Sequence, residues 1–345
     1  MTTTTHAGTD RRTGTARSRA LRPPSDGRHR LSVDLLAVLA ARLTARDRWL
    51  LGMLAEHRVL TTAQIAELAF DGQRRALIRL TELWRLHALD RFRPFTEVGS
   101  AQWHYVLGPA GTAVLTADTD PPARPGRWHR GEPLAIAHSA MLTHTVGANG
   151  VFTALAAAAR HTPGARLAVW WSERRAAAAW GDLARPDGYG RWNQDGRSVD
   201  FFVEYDTGTE PLGKVAAKLC GYAALAEATG LHTPVLFWLP NPTREAGLRR
   251  LLTDPGTPVA TTTPAALTRV GGAGPAGPVW LPTGTTTRVG LVHLAALTHT
   301  PPPVVPAPAA RPAPAGPSRA AWAAPSPTPP APTSRRPTPR PRSGR

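Results

Sequence analysis

Proline sets the outer limits of what this chain can fold into. Sixteen of its 36 prolines crowd into the last 45 residues, which read PPPVVPAPAARPAPAGPSRAAW and onward. A residue with fixed φ and no amide hydrogen, at that density, excludes helix and central strand alike. Residues 300–345 are therefore expected to be an extended, disordered tail. At the other end, residues 1–40 open with MTTTTHAGTDRRTGTARSRALRPP, charged and rich in threonine, and are expected to be a disordered basic arm. Folding is left to the stretch between, which is long enough to bury a core without disulfides. Within it DTDPPARPGRWHRGEP (Asp118–Pro133) is a dense run of breakers. It predicts a linker at 119–134 between one domain at 41–118 and another at 135–299.

Much of the formal charge of +17 sits at the two ends. Residues 1–30 hold seven arginines against Asp10 and Asp26, and residues 301–345 hold seven arginines and no acid. Cationic arms on a mildly basic body point to a polyanionic partner, with double-stranded DNA the first candidate. Arginine, proline and alanine also accumulate in tails for compositional reasons alone. The longest aliphatic run, LLAVLAARL (Leu35–Leu43), is broken by Arg42 and falls far short of the roughly 20 residues that span a bilayer. The N-terminus lacks the apolar segment of a secretory signal, and the sole cysteine, Cys220, is expected to be a small buried thiol. The expectation is a cytoplasmic protein with no membrane partner.

In the first folded region DRWLLGMLAEH (Asp47–His57) has helical spacing, with Thr44 as its cap. TTAQIAEL sets Thr61 three residues before Gln64, a capping box that starts a second helix. A third helix is predicted near Gln73–His87, where Ala76, Leu77, Leu80, Leu83 and Trp84 share one side and Arg74, Arg75, Arg79 and Arg85 the other. DRFRPF (Asp90–Phe95), a polar tip and WHYVLG (Trp103–Gly108) outline a hairpin. This is the order of a winged helix-turn-helix, in which the third helix enters the major groove and the hairpin lies along the backbone. Arg74, Arg75, Arg79 and Arg85, with Arg91 and Arg93 on the wing, are the candidate DNA-binding residues. The alternatives are a solvated helix face, or a module that contacts protein.

The second region opens with a helical pattern over His138–His161. Strand candidates follow at Ala165–Trp171, Arg185–Trp192 and Ser198–Gly208, then a helix near Pro211–Ala228 and a strand in His232–Pro240. This αβββαβ alternation predicts a mixed sheet with helices on its faces, extended by a helix near Thr243–Leu252 and a strand at PVATTT. In the third strand alternation puts Asp200, Phe202, Glu204 and Asp206 on one face and Phe201, Val203 and Tyr205 on the other. Carboxylates converging at a strand end suit a hard divalent cation, and Asp187 joins them if its segment pairs alongside. Only two lysines occur in the chain, Lys214 and Lys218, both on the following helix, which Pro211 is placed to start. A compact ammonium on a long stem reaches sites that a planar guanidinium fits less well.

Pro186-Asp187 and Glu204-Tyr205-Asp206, set in that element order, resemble the PD-(D/E)xK nuclease superfamily. The resemblance implies a restriction-endonuclease-like fold, with Asp187 and Glu204 as ligands of Mg²⁺ or Mn²⁺ and a catalytic set of Asp187, Glu204, Asp206 and Lys218. It breaks at Asp206, which stands where the family has its lysine. Some members carry that lysine on the neighbouring helix, the place of Lys218. A second resemblance covers roughly residues 44–240. The basic N-terminal module followed by PDG, FFVEYDTGTE and KLCGY is similar to the actinobacterial replication-relaxation family, and the match adds Glu210 and Tyr222 to the motif. It implies a plasmid or mobile-element setting, with replication or relaxation proteins as further partners.

Three readings stand on the sequence. The chain is a DNA-binding protein with a metal-dependent nicking site, a non-catalytic replication or transcription factor on a degenerate nuclease fold, or a protein–protein adaptor. His138 and His144 fit no zinc spacing and are expected in core or capping roles. Trp103, near the wing, and Trp192, near Asp187, are candidates for stacking on bases. The chain contains no G-x-x-x-x-G-K-[ST] sequence, so nucleotide hydrolysis by a P-loop is not expected.

Overall fold

The computed structural model describes residues 33–94, 99–118, 131–230, 232–253, 255–298 and 324–330. The expected N-terminal arm through residue 32, the hairpin tip at 95–98, linker residues 119–130 and the rest of the tail lie outside the described residues. Helix α1 (Val33–Arg42) leads to α2 (Ala45–His57), β1 (Leu60–Thr61), α3 (Thr62–Ala69), α4 (Gln73–Arg85), β2 (Leu89–Phe92), β3 (His104–Leu107) and α5 (Pro109–Ala117). Thr44 caps α2 in a box with Asp47, and Thr61 caps α3 in the box with Gln64 that the spacing predicts. Their side chains take up amide hydrogens that a helix start leaves without partners. The three short strands form an antiparallel sheet in the order β1-β3-β2.

The second half runs α6 (Glu132–Ala137), α7 (Leu142–His161), β4 (Arg166–Ser172), α8 (Glu173–Trp180), β5 (Gly188–Gln194), β6 (Arg197–Tyr205), α9 (Leu212–Thr229), β7 (Val235–Trp238), α10 (Pro242–Leu251), β8 (Val259–Thr262), α11 (Pro264–Leu267) and β9 (Leu281–Pro282). Short 3₁₀ segments lie at 271–276 and 291–298. The six strands line up in sequence order, β4-β5-β6 antiparallel, β6-β7-β8 parallel and β9 antiparallel at the edge. The chain is thus mixed α+β, as expected, and the predicted strands appear with small shifts at their ends. Helix α8 is an insertion the sequence reading missed; Ser172 caps it, its Oγ accepting from Arg175 N at 3.3 Å. Among the described residues no helix is long and apolar enough to cross a membrane.

Alternation along β6 assigns the two faces of the sheet. Phe201 and Val203 join the core under α7, while Phe202 packs with Val215, Leu219 and Tyr222 of α9. Gly147 lets α7 approach β6: a methyl group there would fall 2.2 Å from the Tyr205 ring. On β5, Gly190 leaves room for the stacked rings of Phe152 and Phe201, 5.8 Å apart.

One core passes through both halves, joining Leu51, Leu54 and Ile65 to Phe152, Trp170 and Phe201. Buried polar groups stitch the contact. Glu56 of α2 accepts from Ser172 Oγ (2.8 Å) and from Arg175 Nε (2.9 Å) and Nη2 (2.8 Å). Burial alone would raise the Glu56 carboxyl, but Arg175 and Ser172 hold it down to about 2. Beside it His57 stacks on Trp170 with ring centres 3.7 Å apart, and complete burial lowers its pKa to about 3. Asn149 Nδ2 donates to the carbonyls of His57 (3.2 Å) and Val59 (2.9 Å), and Gln64 Nε2 to that of Val146 (2.7 Å).

Four other expectations change. Cys220 is exposed, because the buried stripe of α9 runs through Val215, Leu219, Tyr222 and Ala226. Trp192 is fully buried, with Nε1 donating to Gln194 Oε1 at 3.1 Å, and so does not offer its ring to a base. Leu77 is 40% exposed instead of packed under α4. Part of the tail is also in place: residues 324–330 rest against α2, where Trp49 Nε1 donates to the Ser326 carbonyl at 2.6 Å.

Candidate functional site

Two regions hold the residues singled out in the sequence. The first is α4 with its hairpin. Arg74, Arg75 and Arg85 are exposed, Arg75 beside an equally exposed Asp71 at 2.9 Å. Arg79 does not belong with them. It donates through Nη2 to Asp47 Oδ2 (2.5 Å), through Nε to Asp47 Oδ1 (3.0 Å) and through Nη1 to Glu82 (2.7 Å). Asp47 is buried, which by itself would raise its pKa; Arg79 and Thr44 outweigh that and lower it. Arg79 therefore ties α4 to α2. On the hairpin, Arg91 lies between the rings of Trp84 and Trp103, 3.9 and 4.1 Å from their centres, and Arg93 lies 4.1 Å over Trp103 and donates to Ser100 Oγ at 2.8 Å. Stacking fixes the planes of both guanidinium groups. It also occupies Trp103, the other candidate for stacking on bases.

The second region lies where β5 begins and β6 ends. Glu204 is 3% exposed and points to the α9 side, where Lys218 Nζ donates to Oε2 at 2.7 Å and the Tyr222 hydroxyl donates to Oε1. Desolvation, reinforced by the nearby charge of Asp187, raises the Glu204 pKa to about 7 against the opposing pull of Lys218 and Tyr222. Burial would lower Lys218, but Glu204 and Asp187 raise it, and burial with the Glu204 charge pushes Tyr222 well above its usual value. Asp187 is held from elsewhere. Tyr205 N donates to its Oδ2 at 2.7 Å, and His144 Nε2 of α7 stands 2.7 Å from its Oδ1, at ion-pair distance but without hydrogen-bond alignment. Burial acts to lower His144, and the Asp187 carboxylate raises it. Glu210 stands at the rim, 4.0 Å from Lys218 Nζ.

The structure thus gathers Asp187, Glu204, Lys218 and Tyr222, with Glu210 at the edge. Asp206 is not among them. Arg244 of α10 grips it through Nε to Oδ2 and through Nη2 to Oδ1 (3.0 Å), and Gly208 N donates to Oδ1 at 2.8 Å. Lys214 is exposed. A divalent ion does not fit this donor set as it stands. Among the described residues no group of three or more His, Cys, Asp or Glu side chains is arranged to hold a metal. Both oxygens of Glu204 are taken up from the α9 side and both of Asp187 from β6 and α7. The ammonium of Lys218 supplies the positive charge that balances Glu204.

Two partners of the predicted residues escaped the sequence reading, His144 beside Asp187 and Arg244 on Asp206. His144 had a usable signal: it precedes Gly147 by three residues, which puts both on one face of a helix, and a glycine inside a helix marks a close approach. Arg244 had none, being 38 residues from Asp206 with an ordinary helical pattern around it.

Comparison with known proteins returns one finding. A family model described as Replication-relaxation matches residues 51–237, more than half of the chain. The matched span runs from within α2 into β7 and so includes both halves, the shared core and the Asp187–Glu204–Lys218 centre. Arg244 lies beyond it. No curated protein and no solved structure matches.

Proposed function

The chain belongs to the replication-relaxation family, which suggests a role in the replication or relaxation of plasmids or mobile elements, and from that premise we propose a protein that holds duplex DNA through its N-terminal half and performs no strand chemistry of its own. In this reading α2, α3, α4 and the β2–β3 hairpin are a winged helix-turn-helix, and α4 is the helix that enters the major groove. The observation that carries it is the free face of α4, where Arg74, Arg75 and Arg85 stand exposed around Leu77 and Ile78. Arg91 and Arg93, fixed by their tryptophan partners, extend that cationic surface along the hairpin.

The second half we read as a nuclease-like fold of the PD-(D/E)xK kind whose centre is closed. In support, β4, β5 and β6 run antiparallel and β6 and β7 parallel, with Asp187 immediately before β5, Glu204 on the adjacent β6 and Lys218 reaching in from the next helix. The mutual pairing of these groups favours a structural role over Mg²⁺ or Mn²⁺ binding. Nicking or relaxation is then the work of a recruited replication or relaxation protein.

Anisotropy titrations of labelled duplex DNA test the first half of the proposal. Affinity should fall steeply with salt, and Arg74→Ala or Arg85→Ala should each flatten the slope of log K against log salt by about 0.9. No binding at low salt would end the DNA reading. Incubation with supercoiled plasmid in Mg²⁺ or Mn²⁺ tests the second half. Nicking that chelator stops, and that Glu204→Gln abolishes, would show the centre to be catalytic.

A further inference from the structure

The C-terminal tail holds 16 prolines in 45 residues, yet residues 324–330, APSPTPP, have a defined place. They lie on α2, some 270 residues earlier in the chain. Trp49 Nε1 donates to the Ser326 carbonyl at 2.6 Å. A methyl group at Gly52, one helical turn further on, would sit 3.8 Å from Pro325 Cβ, so Pro325 lies over the helix backbone there. Pro327 is buried between exposed Ser326 and Thr328, and Thr328 N donates to Ser326 Oγ at 3.3 Å.

The segment bends at Pro327 and Thr328, and its contacts on α2 suit a proline-rich ligand. A polyproline strand makes no internal backbone hydrogen bonds, so its carbonyls are free for an outside donor. Indole supplies one N–H at the edge of a large apolar ring. Proline also restricts the free segment beforehand, so little freedom is lost on docking, the reason aromatic grooves bind such segments in peptide-recognition modules. The last described residue before the tail segment is Thr298, 26 residues before Ala324, and an extended chain spans up to about 3.5 Å per residue. The tail can therefore reach α2 of its own molecule.

We propose that the face of α2 around Trp49 and Gly52 is a docking site for a proline-rich segment, and that its occupant is the chain's own residues 324–330. The site does not depend on the DNA reading of α4. Its effect is to moor the end of the tail, with Arg335, Arg336, Arg340, Arg342 and Arg345 just beyond the docked segment, to the N-terminal half of the protein.

The test uses the full chain with isotope-labelled tryptophan, the Trp49 indole signal being assigned by its loss in Trp49→Phe. In the parent the Trp49 indole proton should exchange with solvent about tenfold more slowly than in a Pro325→Gly, Pro327→Gly variant, the scale of one net hydrogen bond. These changes lie outside the folded core and leave it intact, which the unchanged remaining indole signals will show. A synthetic peptide of residues 321–333 added to that variant should restore slow exchange. Equal exchange in parent and variant, or no response to the peptide, overturns the proposal. Protection that grows with protein concentration would assign the occupant to a second copy and overturn the intramolecular docking.

Discussion

Replacing Lys218 with methionine asks whether a single ammonium keeps Glu204 in balance. Glu204 is buried and titrates at about 7 instead of the ordinary 4.5. Between those values the folded chain keeps a proton that the unfolded chain has lost, so stability declines as pH rises, by about 3 kcal/mol in all. Lys218 is one of the groups limiting that decline. Without it the folded-state value climbs further and the deficit above neutrality deepens. Breaking a fully buried pair costs about 3–5 kcal/mol. The Lys218 side chain is 37% exposed, so water replaces part of what is lost, and about 1–3 kcal/mol is expected at pH 8.5. At pH 5.5 Glu204 carries its proton with or without Lys218, and the difference should shrink to under about 0.5 kcal/mol. Urea unfolding of parent and variant at the two pH values measures both numbers. An equal loss at pH 5.5 and 8.5, or a larger one at pH 5.5, would refute the electrostatic account and reduce Lys218 to a packing role.

Other substitutions probe the fold and the interface. Arg79→Met leaves Asp47 buried without its partner and should lower stability by about 3–5 kcal/mol, read as a shifted urea midpoint; a parental midpoint would return Arg79 to the free face of α4. Gly147→Ala drives a methyl into the Tyr205 ring and should cost about 1–3 kcal/mol, so an unchanged melting temperature would mean that α7 moves aside freely. His57→Phe keeps the stack on Trp170 and removes two buried ring nitrogens that have no hydrogen bonds. In the parent, His57 takes up a proton at 6.5 when unfolded but only at about 3 when folded, so stability falls as pH drops below 6.5. Between pH 7 and 4.5 that loss is about 3 kcal/mol, and the variant should lack it; parallel stability curves would contradict the assignment.

What the sequence made legible was local. The capping box at Thr61, the strand alternation that parts Phe201 from Phe202, and a lysine about two turns into the helix after Pro211 all depend on neighbours within a few residues, where periodicity and side-chain reach decide the outcome. What it hid was pairwise and distant. Asp206 looked like Glu204's companion because alternation gave them one face, but α10 brings Arg244 to it from 38 residues away. Arg79 looked like Arg74 and Arg75 because a helical wheel has no knowledge of Asp47 on another helix. Composition likewise treated the whole tail as uniform, although Pro325 and Ser326 find places on α2.

The continuous core also governs how this protein can be divided or can diverge. A break in the linker that freed the first half would bare Leu51, Leu54 and Ile65 on one fragment and Phe152 and Trp170 on the other, and would leave Glu56 and Arg175 without each other. Neither fragment is a portable unit that recombination could pass intact to another protein. A substitution at that seam asks for accommodation by its partner across it, as at Glu56 and Arg175, a demand that exposed positions such as those of α4 do not carry.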